Sequence, residues 1–127
     1  MAEQTESQVQ EAIAEELLRI HEDSYGKSAG SVEVLFSDDA VVVFMDDLEL
    51  QRSEEFLIES GDPDSVIEVR GRYQRAIEAT FRAAVERATG RRVNSFSSVT
   101  KIDPNYIVEI FRLEPLGDGE GEGDGGG

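Results

Sequence analysis

Apolar residues recur every three or four positions near the start of the chain, which predicts an amphipathic helix over about residues 6–25. Thr5 and Gln8 match a capping box, in which each side chain satisfies a backbone N–H of the first turn. Gly26 can adopt the left-handed conformation that ends a helix. The apolar stripe of this helix consists of Val9, Ile13, Leu17 and Ile20.

A longer helix is predicted between Asp62 and Gly90. Asp62 suits the N-cap, Pro63 suits the first helical position, and Gly90 suits the C-terminal stop. Gly71 lies inside this helix and costs up to about 1 kcal/mol relative to alanine, so a close packing contact is expected there. The predicted stripe consists of Val66, Val69, Tyr73, Ile77, Thr80, Phe81, Ala84 and Ala88.

β-branched and aromatic runs predict four strands, over residues 32–36, 40–45, 92–100 and 105–113. The second run is apolar at every position, which indicates a central strand. Residues 52–60 read as a short helix. The fold class is therefore α+β, with two long helices and one short helix packed on a four-stranded, mostly antiparallel sheet in the order α-β-β-α-α-β-β.

The chain of 127 residues fits one domain. We expect a flexible N-terminus at 1–5, a single α+β domain at 6–115, and a disordered acidic, glycine-rich tail at 116–127. The longest apolar run, Ala40–Met45, is far shorter than the roughly 18 residues that a membrane span needs, and the N-terminus does not resemble a signal peptide. We expect a soluble, cytoplasmic protein.

The charge is strongly negative, with 28 acidic and 12 basic side chains and a formal net charge of -16. Residues 1–60 hold 16 of the acids and only 3 of the bases. Such a field repels phosphate backbones and anionic membrane surfaces, so nucleic-acid binding is not expected. Direct membrane insertion is not expected either, because the apolar runs are too short. The acidity fits either a salt-rich cytoplasm or a nucleotide-composition bias.

Few residues suggest catalysis, metal binding or phosphate binding. The chain has no cysteine, and His21 is its one histidine, so no zinc site is expected and no metal or cofactor is predicted. Gly26-Lys27-Ser28 lacks the upstream glycine of a phosphate-binding loop, and a helix rather than a strand precedes it. His21 is expected to be solvated or partly packed. No catalytic residue can be named, and we expect no enzyme activity.

Two speculative sites remain. Lys27, Arg91 and Arg92 would form a small-anion site if the C-terminal ends of the two long helices lie close together, although capping is the simpler role for Arg91. The sheet face opposite the helices is expected to carry exposed apolar residues. We expect a homodimer that tightens as salt rises, formed through either this face or the edge strands. Alternatively, the short helix covers that face and the protein is monomeric. The predicted interface residues are Leu35, Val41, Val43, Ile107 and Phe111.

Several segments together resemble the MpsC-like family, catalogued as a bacterial domain of unknown function. They are Tyr25-Gly26-Lys27, VEVLFSDDAVVVFMDDL, ATGRRV and VNSFSSVTKIDPNYIVEIFRLEP, and the resemblance covers about residues 8–115. The family usually runs Gly-Lys-Gly-Pro after the first helix, whereas in this sequence Lys27 is followed by Ser28-Ala29-Gly30. The family commonly starts the short helix with Thr-Pro, where this sequence has Gln51-Arg52.

The resemblance implies an accessory role beside a sodium-translocating, membrane-potential-generating system linked to uptake of inorganic carbon. It implies no catalytic residues, because none is established for the family. The expected function is therefore a non-enzymatic accessory or regulatory protein with a membrane transporter subunit as partner. The alternative is a small-anion sensor or an enzyme that uses the region of Lys27, Arg91 and Arg92.

Overall fold

Three helices and two β-hairpins make up the fold, which a computed structural model describes for residues 5–115. The predicted α+β class and the predicted element order are confirmed. The predicted tail at 116–127 and the first four residues of the predicted flexible N-terminus lie outside the described residues. The elements are α1 (Glu6–Tyr25), β1 (Ala29–Ser37), β2 (Ala40–Leu48), α2 (Arg52–Glu59), α3 (Pro63–Thr89), β3 (Val93–Lys101) and β4 (Tyr106–Leu113).

The ends of the long helices follow the predicted capping chemistry. The Gln8 backbone N–H donates to the Thr5 hydroxyl at 3.1 Å, and the Thr5 N–H donates to the Gln8 side chain at 2.8 Å. At α3, the Asp62 carboxylate accepts from the Ser65 N–H. Gly90 ends α3 with a φ of 70°, a conformation that glycine adopts without steric cost.

The four strands form one antiparallel sheet in the order β1-β2-β4-β3. The second strand is central, as its continuous apolar character predicted. In the register, Val43 pairs with Val34 on one side and with Glu109 on the other, and Glu109 pairs with Ser98. Residues at these positions therefore lie in one row across the sheet and point to the same face.

Helices α1 and α3 cover one face of the sheet, and the core lies between these two layers. Helix α2 packs against α3. No helix within residues 5–115 is both long and apolar enough to cross a membrane. The buried apolar residues at the centre of this core are Ile13, Leu17, Val41, Val43, Met45, Phe81, Val85, Ile107 and Phe111.

The predicted stripe of α3 is wrong at two positions, because Val69 and Thr80 are both exposed. Val69 is 50% exposed, whereas Arg70 and Gln74 are only 2% and 4% exposed. Arg70 lies four residues after the buried Val66, and Gln74 lies four residues after Arg70, so all three share one helix face. The apolar character of Val69 suggested burial. The helix instead turns the face that contains Val66, Phe81 and Val85 towards the core, and Val69 lies outside that face.

The prediction of a close packing contact at Gly71 is also wrong. A Cβ atom added at Gly71 would meet only the Arg75 guanidinium, at 3.6 Å, which is an ordinary van der Waals distance. Glycine therefore weakens the helix at this position without a packing reason.

Replacing this glycine should stabilise the protein. We expect Gly71→Ala to raise the free energy of unfolding by roughly 0.5–1 kcal/mol, because alanine loses less backbone entropy in a helix. Gly90→Ala is the matched control and should lower the free energy of unfolding, since an L side chain is strained at a φ of 70°. Urea denaturation of both variants measures the difference. A destabilised Gly71→Ala variant would contradict the packing seen at this position.

Candidate functional site

The sheet face turned away from α1 and α3, which we call the open face, carries an uncovered apolar centre. Two neighbouring rows cross the sheet there, one running Leu35–Val42–Ile110–Ser97 and the next running Glu33–Phe44–Val108–Val99. Leu35 and Val99 are 44% and 52% exposed, and the four residues between the edge strands are half-buried by their neighbours. Large uncovered apolar surfaces of this kind usually mark contacts with other molecules.

Four of the five predicted interface residues are placed wrongly. Val41, Val43, Ile107 and Phe111 are at most 1% exposed and lie on the inner face, under the helices. Their strands are apolar at both odd and even positions, so alternation alone could not decide which set meets the helices. The structure assigns the opposite set to the open face, and only Leu35 of the predicted residues lies there.

Helix α2 lies on the helical side of the sheet. Its Glu54 pairs with Arg70 of α3, and Arg70 in turn contacts Thr100, which lies on the inner face of β3. The alternative prediction, in which the short helix folds over the open face, is therefore wrong.

The most closely connected polar groups form a buried network around Arg70. Its guanidinium donates to the Glu54 carboxylate at 3.1 Å and to the Asn105 side chain at 3.2 Å. The Tyr25 hydroxyl donates to the same Glu54 carboxylate. Burial, together with the adjacent Glu54 carboxylate, raises the pKa of Tyr25. The network ties the end of α1, helix α2, helix α3 and the β3–β4 turn to one another.

His21 lies beside this network and is only 2% exposed, so the expected solvated or partly packed histidine is instead fully buried. Its ring stacks on Tyr25 with centroids 5.3 Å apart. Burial, and then the nearby positive charge of Arg70, lowers the pKa of His21. The space among His21, Tyr73 and Gln74 is too narrow for a water molecule. These side chains are therefore closely packed and join α1 to α3.

Glu109 is the most unusual residue of the core. It lies on the inner face of β4 with no exposed surface, and neither of its carboxylate oxygens has a hydrogen-bond partner within the described residues. Burial raises the pKa of Glu109 well above its ordinary value. The neutral, protonated form of this carboxyl group is therefore favoured, because an unpaired charge in such a site is very costly.

The predicted anion site is not assembled. Lys27 precedes β1, whereas the Arg91 guanidinium donates at 2.7 Å to the carbonyl of Asp38, which follows β1. The nine residues of β1 separate these positions by roughly 30 Å. Arg91 also forms an ion pair with Asp39 at 2.7 Å and donates to the carbonyl of Glu114. Arg91 thus fastens the β1–β2 turn to the end of β4, and Arg92 beside it is exposed.

The surface formed by residues 5–115 includes two open clefts. One, of about 340 Å³, lies between the start of α1 and Arg91. The other, of about 290 Å³, lies between α3 and β3 and is lined by Gln74, Arg75 and Ser98. Among residues 5–115, no three acidic or histidine side chains are placed to hold a metal ion.

Sequence reasoning missed the buried Glu54, Arg70 and Glu109, although a signal existed for two of them. Arg70 falls on the helical stripe of Val66, and Glu109 alternates with the apolar Ile107 and Phe111 of β4. For Arg70 the periodicity indicated burial while the residue type indicated exposure, and the periodicity was correct. For Glu109 the alternation indicated only that it shares a face with Ile107 and Phe111, and it did not show which face the helices cover.

Comparison with known proteins gives one match. The family model described as "Na+-translocating membrane potential-generating system (MpsC)" matches residues 5–115, which are all of the described residues. No curated protein and no solved structure is significantly similar to the chain.

The unpaired Glu109 leads to a pH-dependent prediction. The unfolded chain releases this proton near the ordinary pKa of 4.5, whereas the folded protein holds it to higher pH. The wild type therefore loses stability as pH rises from about 4.5 towards the raised pKa. Glu109→Gln cannot titrate, so we expect its free energy of unfolding, relative to that of the wild type, to grow as pH rises above about 4.5.

Urea denaturation of both proteins over a pH series measures this change. Glu33→Gln is the matched control, because Glu33 is exposed on β1 and its replacement should give a nearly flat difference. A difference between Glu109→Gln and the wild type that stays constant with pH would show that Glu109 has an ordinary pKa in the folded protein.

Proposed function

The chain belongs to the MpsC family, and we propose that it serves a Na⁺-translocating membrane system as a non-enzymatic accessory or regulatory subunit. This proposal rests on the family match, which covers residues 5–115. The description of that family names a Na⁺-translocating system. The proposed location is the cytoplasmic face of the membrane.

The buried chemistry of the domain supports a non-enzymatic role. The Glu54–Arg70 pair has side chains 6% and 2% exposed, and these groups bind one another and the neighbouring elements. Reactive groups of an enzyme need a cleft that admits substrate, and a nucleophile or base within hydrogen-bond reach of it. The Arg70 network instead joins secondary-structure elements in a closed part of the core.

The charge of α1 supports contact with a membrane subunit. The helix carries six acidic residues and one arginine, and Glu11 and Glu15 are exposed one turn apart. Like charges four residues apart destabilise a helix by a few tenths of a kcal/mol, so this arrangement is not favourable for the helix itself. The cytoplasmic loops of membrane proteins carry an excess of lysine and arginine, which gives the acidic face of α1 a complementary partner.

Co-purification tests this proposal. Tagged wild-type protein, isolated from detergent-solubilised native membranes, should recover the integral membrane subunit of the system, identified by its peptides. Glu11→Lys combined with Glu15→Lys should reduce this recovery at least about tenfold, because the reversed charges repel basic loops. Glu55→Lys with Glu59→Lys is the matched control, since it changes the net charge equally on exposed positions of α2.

Two results would contradict the proposal. Failure of the wild type to recover any integral membrane subunit at native salt would contradict the accessory role. Equal loss with the α1 and α2 variants would contradict docking through α1 and would leave net charge as the cause of binding.

A further inference from the structure

The charged residues of the open face are divided between an acidic half and a basic half, so a second copy related by a two-fold axis can bring opposite charges together. Glu33 and Asp46 lie on the β1–β2 half of this face, and Lys101 and Arg112 lie on the β4–β3 half. The charges of the four side chains cancel, although the whole chain has a net charge of -16. None of the four forms an ion pair within the described part of the chain.

We propose that the open face binds a second copy of this chain, with the two sheets packed face to face about a two-fold axis parallel to the strands. This axis places β1 of one copy over β3 of the other, and β2 over β4. The β1–β2 half of each face, with Glu33 and Asp46, then lies over the β4–β3 half of its partner, so Lys101 of each copy comes near the other copy's two acids. A two-fold axis across the strands would place β1 over β1 and reverse the order of the rows, which separates Lys101 from these acids. The contact of Lys101 with Glu33 and Asp46 therefore distinguishes the first orientation.

The apolar residues at the centre of the open face also pair across this two-fold axis. Residues that share a row in the sheet remain level, so Phe44 of each copy faces Val108 of the other, and Val42 faces Ile110. Each pair occurs twice, as an isologous interface requires. Lys101 lies near the second copy's Glu33 and Asp46, at the rim of this apolar centre.

The size of the face is sufficient for a weak dimer. Four strands span about 19 Å, and the rows of the open face extend about 23 Å along them. Two such faces bury on the order of 1,000 Å² together, which is at the lower end of specific protein interfaces. We therefore expect a dimer with a micromolar Kd rather than an obligate one.

Salt should strengthen this dimer. The rim pairs are exposed and contribute little each, whereas the net charges of the two copies repel over the whole molecule. Ionic strength screens the repulsion over a Debye length of about 8 Å at physiological salt. The screened repulsion outweighs the weakened rim pairs, so the Kd should fall as salt rises.

A matched pair of variants tests the surface. Val99 on the open face and Val69 on α3 are 52% and 50% exposed, so Val99→Asp and Val69→Asp make the same change at equal exposure. Light scattering of the purified proteins at about 50 mM and about 500 mM salt gives their masses. Wild type and Val69→Asp should approach twice the monomer mass of 14.0 kDa at high salt, while Val99→Asp should have a Kd at least about tenfold higher.

Charge reversal tests the orientation. Glu33→Lys and Lys101→Glu should each weaken the dimer, and the double variant should restore it, because the reversed charges again meet across the two-fold axis. Lack of restoration would overturn the proposed axis. A monomer mass for the wild type at both salt concentrations, or equal dimerisation of Val99→Asp and wild type, would overturn the proposal itself.

The experiment uses purified protein alone, so its result does not depend on any membrane partner. A wild type that is monomeric, and whose recovery of a membrane subunit is lost in Val99→Asp, would assign the open face to that subunit instead of a second copy. A wild type that dimerises but recovers no membrane subunit would support this inference and contradict the proposed function.

Discussion

The structure depends on a sheet that has two apolar faces and a helical layer for only one of them. β2 and β4 occupy the centre and are apolar at nearly every position, and α1 and α3 cover the face that contains Val43 and Ile107. The other face retains Val42 and Val108 without a cover. Water contact with apolar surface is unfavourable at about 25 cal/mol per Å², and this cost is the driving force of the dimer that we propose.

The Arg70 network holds the helical layer in the position that leaves this face open. Its charged pair joins α2 to α3, and the additional contacts to Tyr25 and Asn105 connect α1 and the β3–β4 turn. Removing one member of a buried pair typically costs about 3–5 kcal/mol, because the remaining charge stays buried without a partner. Such a joint favours one arrangement of α2 and excludes one in which this short helix lies across the open face.

The sequence was sufficient to predict the helices, the hairpins and their order, because these depend on local signals such as the Thr5 capping box and the Asp62 N-cap. It was not sufficient to predict which face of the sheet the helices cover, since Val41 and Val42 are chemically identical and differ only in their direction. The ion pair of Arg70 with Glu54 joins residues of different helices, and no spacing along the chain specified it. The separation of Lys27 from Arg91 likewise depends on where β1 lies in the folded domain.

Methyl NMR during dilution tests the central claim that the open face is the surface of association. Neighbouring valines of β2 report on opposite faces, with Val42 outside and both Val41 and Val43 inside. The account predicts that the methyl resonances of Val42, Val99 and Val108 shift as the dimer dissociates, while those of Val41 and Val43 change little. Concentration-dependent shifts confined to the helical layer, or none at all, would contradict it.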